Sequence, residues 1–229
     1  LVEKDFSSAL EKANQINQYN ETRKDLDKAM TEEANKIVEQ LEDLSERRSI
    51  VIFNEEWHKG VIGIVASRLT EIYYRPAVVL TRTNDLATGS ARSVSGFDVY
   101  KAIEHCRDLL ENFGGHTYAA GLSMKAENVE KFTKRFEDYV ANHILPEQTS
   151  AVIDIDAEID FKDITSKFHS DLKRFNPFGP DNHKPVFCTH HVYDYGTSKV
   201  VGREQEHIKL ELVDNKSNNV MNGIAFGQS

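Results

Sequence analysis

The sequence predicts one long helix, then an α/β domain, then a small all-β domain. Three observations carry this. Residues 5–46 contain neither Pro nor Gly, strand-like and helix-like runs alternate through 49–145, and short β-branched runs dominate beyond a linker at Pro146–Ser150.

In the first segment Leu10, Leu26, Met30, Ile37, Leu41 and Leu44 recur at helical spacing among dense charges. The reading is one helix, or two with a break where Asn and Gln cluster near Asn14–Asn20. About forty helical residues would span ~60 Å, longer than a compact domain needs. The segment is therefore a bundle or coiled-coil helix, or a connector from a longer polypeptide. Leu1-Val2-Glu3-Lys4 lacks an initiator Met and reads as the middle of a chain.

Ser49–Phe53 is a buried strand by its β-branched run, and Gly60–Tyr73 a helix with Ile62, Val65, Ala66 and Leu69 on one face. Pro76–Leu80 and Ala87–Val94 are the next strands. Asp98 caps a helix predicted to run through Val99, Ala102, Ile103, Cys106, Leu109 and Leu110. A Gly-Gly-His turn follows it, then a strand at Gly121–Met124 and an amphipathic helix from Val129 to Ile144. Beyond the linker, Val152–Ile159 alternates with period two, as a half-exposed strand does. Phe187–Tyr195, Thr197–Val201, Ile208–Val213 and Ile224–Phe226 are further strands, and Ser166–Phe175 is the one clear helix. These make a small β-barrel that stops in or just after sheet structure.

Composition narrows the function. The chain has 229 residues and a formal net charge of −9, which argues against a general DNA-coating protein. The acidic excess is concentrated in residues 1–46. From Arg47 to Ser95, seven Lys and Arg face four Asp and Glu, so a local basic patch is compatible with the total. No apolar run approaches a membrane span, and Cys106 and Cys188 are in no C-x-x-C spacing, which predicts reduced thiols in a cytoplasmic protein with no membrane partner.

The richest motifs are Gly114-Gly115-His116 and Gly89-Ser90-Ala91-Arg92-Ser93. Paired glycines let a backbone approach a bulky anion, and an arginine between serines is a fork of donors for phosphate oxygens. Arg92 with Ser90 and Ser93 is read as phosphate-binding in preference to a surface ion pair. His116 is read as anion-contacting or proton-handling, in preference to a capping or core histidine. Trp57-His58 precedes a Gly-led helix whose N-terminus would attract anions, though a core Trp with a structural His fits equally. Asp154, Asp156, Glu158 and Asp160 share one strand face but read as solvated carboxylates. No zinc spacing or two-metal constellation is found, and the candidate site is assigned no metal. Phe175–Asn182 is an aromatic loop that either stacks bases or, as favoured, plugs the barrel end.

Taken in order, Trp57-His58-x-Gly60-Val61-x-Gly63-Ile64-x-Ala66-Ser67-Arg68, Gly89-Ser90-x-Arg92-Ser93, Phe113-Gly114-Gly115-His116-x-x-Ala119-Ala120-Gly121-Leu122-Ser123, Pro177-x-Gly179, Pro185-x-Phe187, Val201-Gly202, His207-x-Lys209 and Gly223-Ile224-Ala225-Phe226 resemble the C-terminal part of the RecJ-type exonucleases of the DHH phosphoesterase superfamily. The resemblance covers essentially the whole chain. Ala91 departs from it where the family often has Gly. It implies a connector helix over 1–46, a DHH-associated α/β domain with a mixed sheet over 47–145, and an OB-fold-like barrel over 151–229, truncated at its C-terminus. It further implies a parent enzyme that degrades single-stranded DNA 5′ to 3′ with Mn²⁺ or Mg²⁺, acting in DNA repair and recombination. The D-H-H triplet of the family's metal-binding domain is absent, so this piece alone is expected to be inactive and to hold no cofactor. By the same resemblance Arg92, Ser90 and Ser93, with Gly114 and Gly115, hold substrate phosphate, His116 touches the cleaved phosphate, and Trp57 and His58 line the cleft. Two alternatives remain: a phosphodiesterase acting on very short oligonucleotides or cyclic dinucleotides, and a non-enzymatic module binding a single-strand-binding protein or a helicase.

Overall fold

The structure, a computed structural model, describes residues 4–41, 43–179, 181–215 and 218–228. The expectations for residues 1–3 and for Pro180 lie outside these. The chain divides into two compact units, Leu1–Ala151 and Val152–Ser229.

The first unit opens with α1 (Phe6–Glu39), one uninterrupted helix whose N-cap Asp5 accepts a bond from the Ser8 amide. Its buried residues, Asp27, Met30, Ala34 and Val38, all fall in the second half. Behind it come β1 (Ile50–Phe53), α2 (Ile62–Tyr73), β2 (Ala77–Thr83), β3 (Leu86–Arg92), α3 (Val99–Glu104), β4 (Asn112–His116), β5 (Ala119–Lys125) and α4 (Val129–His143). The five strands form one mixed sheet in the order β1-β2-β3-β5-β4. Only β1 and β2 are parallel, as the crossover through α2 requires. The α2 helix stops at Tyr74, in the left-handed region, two residues before Pro76.

Period-two alternation sorts the strand residues between two cores. Val78, Leu80, Ala87, Ala91, Leu122 and Met124 pack with Phe132, Phe136 and Val140 on one face. Ile50, Ile52, Ala77 and Val79 pack on the other face, with Val65 and Leu69 of α2 and Met30, Ala34 and Val38 of α1.

Two expectations are corrected here. The helix predicted from Asp98 to Leu110 ends at Glu104, and a 3₁₀ turn over Arg107–Leu109 follows. Leu109 and Leu110 both pack against the first core, and the Leu109 carbonyl accepts a bond from the Asn128 amide. These contacts hold the segment in the tighter turn and override the continuing apolar pattern. The Gly-Gly-His segment is not a turn: it is the edge strand β4, and the turn is Thr117-Tyr118. Glycine is rare in strands, and paired glycines by themselves indicate a turn. Pairing with β5 supplied what propensity did not.

In the second unit the strand expected over Val152–Ile159 contracts to β6 (Ala157–Glu158), paired in parallel with β7 (Phe187–Cys188). Val152, Ile153 and Ile155 are exposed. The strand expected over Phe187–Tyr195 is divided into β7 and β8 (Val192–Asp194) by His191, at φ 58°. With β9 (Lys199–Val201), β10 (His207–Asp214) and β11 (Val220–Phe226), β8 builds an antiparallel sheet around β10. Helix α5 (Ser166–Lys173) is capped by Thr165, and its Phe168 meets Phe187 with ring centroids 5.3 Å apart. No described helix is long and apolar enough to cross a membrane.

Candidate functional site

Strand register builds the site. Arg92 of β3 is paired with Ala119 of β5, and Ala119 with His116 of β4. One row on, Ser90, Gly121 and Gly114 are aligned in the same way, and beyond them Thr88, Ser123 and Asn112. Because side chains alternate, all three rows face one side of the sheet. Helix α2 packs over that side at β2 and β3, whereas Gly121, Gly114 and His116 are exposed. Arg92 and His116 therefore stand two strands apart, with ~10 Å between their backbones, across a floor of Ala and Gly.

The glycines differ in what they do. A Cβ on Gly115 would lie 2.3 Å from the Ala119 carbonyl oxygen, so β4 can sit here only with glycine. A Cβ on Gly114 would meet nothing within 4 Å. Nothing among the described residues demands its missing side chain; the trough above it stays open as a result.

Arg92 is half-buried. Its Nε donates to Ser67 Oγ at 3.1 Å, and its Nη1 to Ser90 Oγ at 2.9 Å and the Ala91 carbonyl at 2.8 Å. Gly63 lets the guanidinium lie against α2, since a Cβ there would stand 3.1 Å from Nη2. Among the described residues no carboxylate pairs with Arg92 and no acceptor binds Nη2. Burial pushes its pKa below the ordinary arginine value, with no neighbouring charge to offset it. A desolvated cation with unused donors is a receptor for an anion. Ser90 accepts from Arg92 and keeps its own hydroxyl proton to donate. His116 Nδ1 accepts the Tyr118 amide at 3.3 Å, which leaves the proton on Nε2, a second donor at the exposed rim.

Of the residues expected from sequence, Ser90, Arg92, Gly114 and His116 meet on this face, with Gly115 fixing their strand. Of the other three, Ser93 and Trp57 are engaged elsewhere. The Ser93 hydroxyl donates to the Phe97 carbonyl at 2.7 Å and closes a turn beyond the end of β3. Ser67, from α2, is the second serine at the guanidinium. Trp57 is 5% exposed and donates its indole N–H to Glu33 of α1 at 2.8 Å; of its two readings, the core one fits. His58 is exposed before α2, its Nδ1 accepting the Gly60 amide at 3.1 Å.

Sequence reading missed Ser67, Lys59, Thr88, Asn112 and Ser123. The signal was present for two. Ser67 follows Gly63 by one helical turn, and Thr88, Ser90 and Arg92 alternate along one strand face. Asp156 and Glu158 do not converge on a site: Asp156 accepts the Val186 amide, and Glu158 lies 3.3 Å from His190 Nε2. Among the described residues no group of three or more His, Cys, Asp or Glu is placed to hold a metal ion.

The comparisons match both units. A model of the DHHA1 domain matches residues 37–142, and one of the RecJ OB domain residues 155–229. The single-stranded-DNA-specific exonuclease RecJ of Bacillus subtilis is 35% identical over 95% of this chain and 28% of its own length. That of Haemophilus influenzae is 29% identical over 99% of this chain and 40% of its own. The chain thus spans about a quarter to two fifths of these relatives. The crystal structure of RecJ from Thermus thermophilus with Mg²⁺ superposes with a TM-score of 0.76 at 21% identity, covering 99% of this chain and 38% of that one.

Proposed function

Since the chain belongs to the RecJ family, we propose that it is the substrate-gripping part of a single-stranded-DNA-specific exonuclease that works 5′ to 3′ in cytoplasmic DNA repair and recombination. The observation that carries this reading is Arg92, a half-buried guanidinium without a carboxylate, set across a glycine floor from His116.

In this reading Arg92 Nη2 and the Ser90 hydroxyl bind non-bridging oxygens of the phosphate, and His116 Nε2–H donates to it from the opposite rim. The positions are fixed before substrate arrives, so reorganisation costs little when charge develops at the reacting phosphate. Ser67 holds Nε and so orients the guanidinium. The trough offers cations and neutral groups with no carboxylate, which does not suit a Mn²⁺ or Mg²⁺ ion. The ligands for such an ion belong to another part of the longer polypeptide, and this chain alone is expected not to hydrolyse DNA. The second unit guides the strand by charge and by stacking on exposed rings such as Phe175, which is 62% exposed.

The test is turnover of the longer enzyme on single-stranded DNA. Arg92→Ala is expected to lower the rate about a hundredfold or more, the scale of losing one preorganised donor, and His116→Ala to lower it severely with the fold intact. Near-normal rates in both variants would remove this face from the mechanism. Faster cleavage of dinucleotides than of long strands would favour a short-oligonucleotide phosphodiesterase instead.

A further inference from the structure

Beyond the row of Arg92 and His116 the same face deepens into a cavity of about 480 Å³ lined by Lys59, Thr88, Asn112, Gly114, Gly121 and Ser123. It starts at the Gly114–Gly121 pair and runs one row further, to Thr88, Ser123 and Asn112. Successive rows are two residues apart, ~7 Å, the scale of one nucleotide repeat in an extended strand. Lys59 reaches the cavity from the loop before α2, on the side opposite the β4 edge. Among the described residues its ammonium has no ion-pair partner, and no carboxylate lines the cavity.

We propose that this cavity is a second nucleotide subsite, taking the nucleotide next to the phosphate gripped by Arg92, with Lys59 neutralising the adjoining phosphate. The inference rests on the reading of Arg92 as a phosphate grip and extends it. The lining explains the class of ligand. A lone cation over neutral hydroxyls and an amide accepts an anion with a polar body, and Thr88, Ser123 and Asn112 offer hydrogen bonds to sugar or base without repelling phosphate. Leu86, on the same strand face, adds an apolar wall for a base. The two open glycines keep the passage between the subsites clear: on neither would a Cβ meet a heavy atom closer than 3.9 Å.

Binding of 5′-phosphorylated thymidine mono-, di- and trinucleotides to the full chain, titrated over a series of salt concentrations, tests this. Lys59→Ala is expected to leave mononucleotide affinity unchanged. It should weaken trinucleotide binding about tenfold, the effect of losing one bond to a charged group, and reduce its log–log salt slope by ~0.7, one single-strand phosphate. Lys59→Arg should restore the slope, and Asn112→Ala should weaken the trinucleotide without changing the slope. Trinucleotide affinity and slope unchanged in Lys59→Ala would overturn the subsite. So would equal weakening of mono- and trinucleotide, which would put Lys59 on the gripped phosphate. Arg92→Ala separates the two ideas: if it binds the mononucleotide as the parent chain does, the grip itself fails, whatever Lys59 does.

Discussion

At Arg92 the desolvation of a guanidinium is offset by hydroxyls and a carbonyl, without an opposing charge. In the proposed reading, an incoming phosphate relieves this unfavourable starting state. The glycines beside it separate folding from binding. Gly115→Ala meets the Ala119 carbonyl and a φ of 154°, and is expected to destabilise the chain by about 1–3 kcal/mol. Gly114→Ala enters open space and is expected to leave the denaturation midpoint unchanged or slightly raised, while weakening short-oligonucleotide binding. Urea titration and binding of a 5′-phosphorylated trinucleotide check both. A destabilised Gly114→Ala with normal binding would mean that this glycine serves the fold. At this scale the residue types were legible and their neighbours were not. An arginine between serines is visible in sequence, but that Ser67 holds it while Ser93 turns to the Phe97 carbonyl depends on how α2 and the following turn lie over β3. Cys106 shows the same limit: burial pushes its thiol up to about 12, which no spacing rule reveals.

The elements meet through a few polar contacts. Glu33 of α1 accepts bonds from the Trp57 indole and the Asn54 amide, both at 2.8 Å, and Asp27 of α1 accepts Arg68 of α2 at 2.9 and 2.8 Å. Glu137 of α4 accepts the Arg48 and Ser49 amides that lead into β1. Hydrogen bonding from Arg68 holds the Asp27 carboxyl below its ordinary value of 3.8. A depressed folded-state pKa stabilises the fold above the unfolded value, and that contribution is lost as pH falls through the folded value. Acid destabilisation below about pH 3.8 is therefore expected to be shallower in Asp27→Asn, which should also be less stable at neutral pH. Urea midpoints at about pH 7 and about pH 3 read this out. Identical pH dependence in parent and variant would show that the pair does not couple α1 to α2. Arg68 is half exposed, so high salt should shrink the difference. Element identity was largely legible from periodicity. The exceptions are the contracted β6, the break between β7 and β8 at His191, and the shortened α3 and glycine strand β4, where a neighbouring surface overrode local propensity.

At the scale of the whole molecule, both large hydrophobic cores lie within the first unit. Residues 1–151 are therefore expected to unfold cooperatively by themselves. They should bind a 5′-phosphorylated trinucleotide as the full chain does, with a loss of affinity confined to longer strands, where the second unit adds contacts. Loss of trinucleotide binding in a folded truncation would place part of the grip in the second unit.

The sequence by itself determined most of the succession of elements, the break near residue 150 and the donor chemistry of Ser90, Arg92 and His116, because periodicity, turn residues and side-chain type are local properties. Tertiary structure alone decided that β4 is a strand, that Trp57 is core, that Ser67 bonds Arg92 and that Lys59 lines the cavity beyond it. These follow from strand register and helix placement. They join residues that are not neighbours in sequence, three to eleven positions apart between β4 and β5, 24 for Trp57 and Glu33 and 25 for Ser67 and Arg92, and no local preference encodes such pairings.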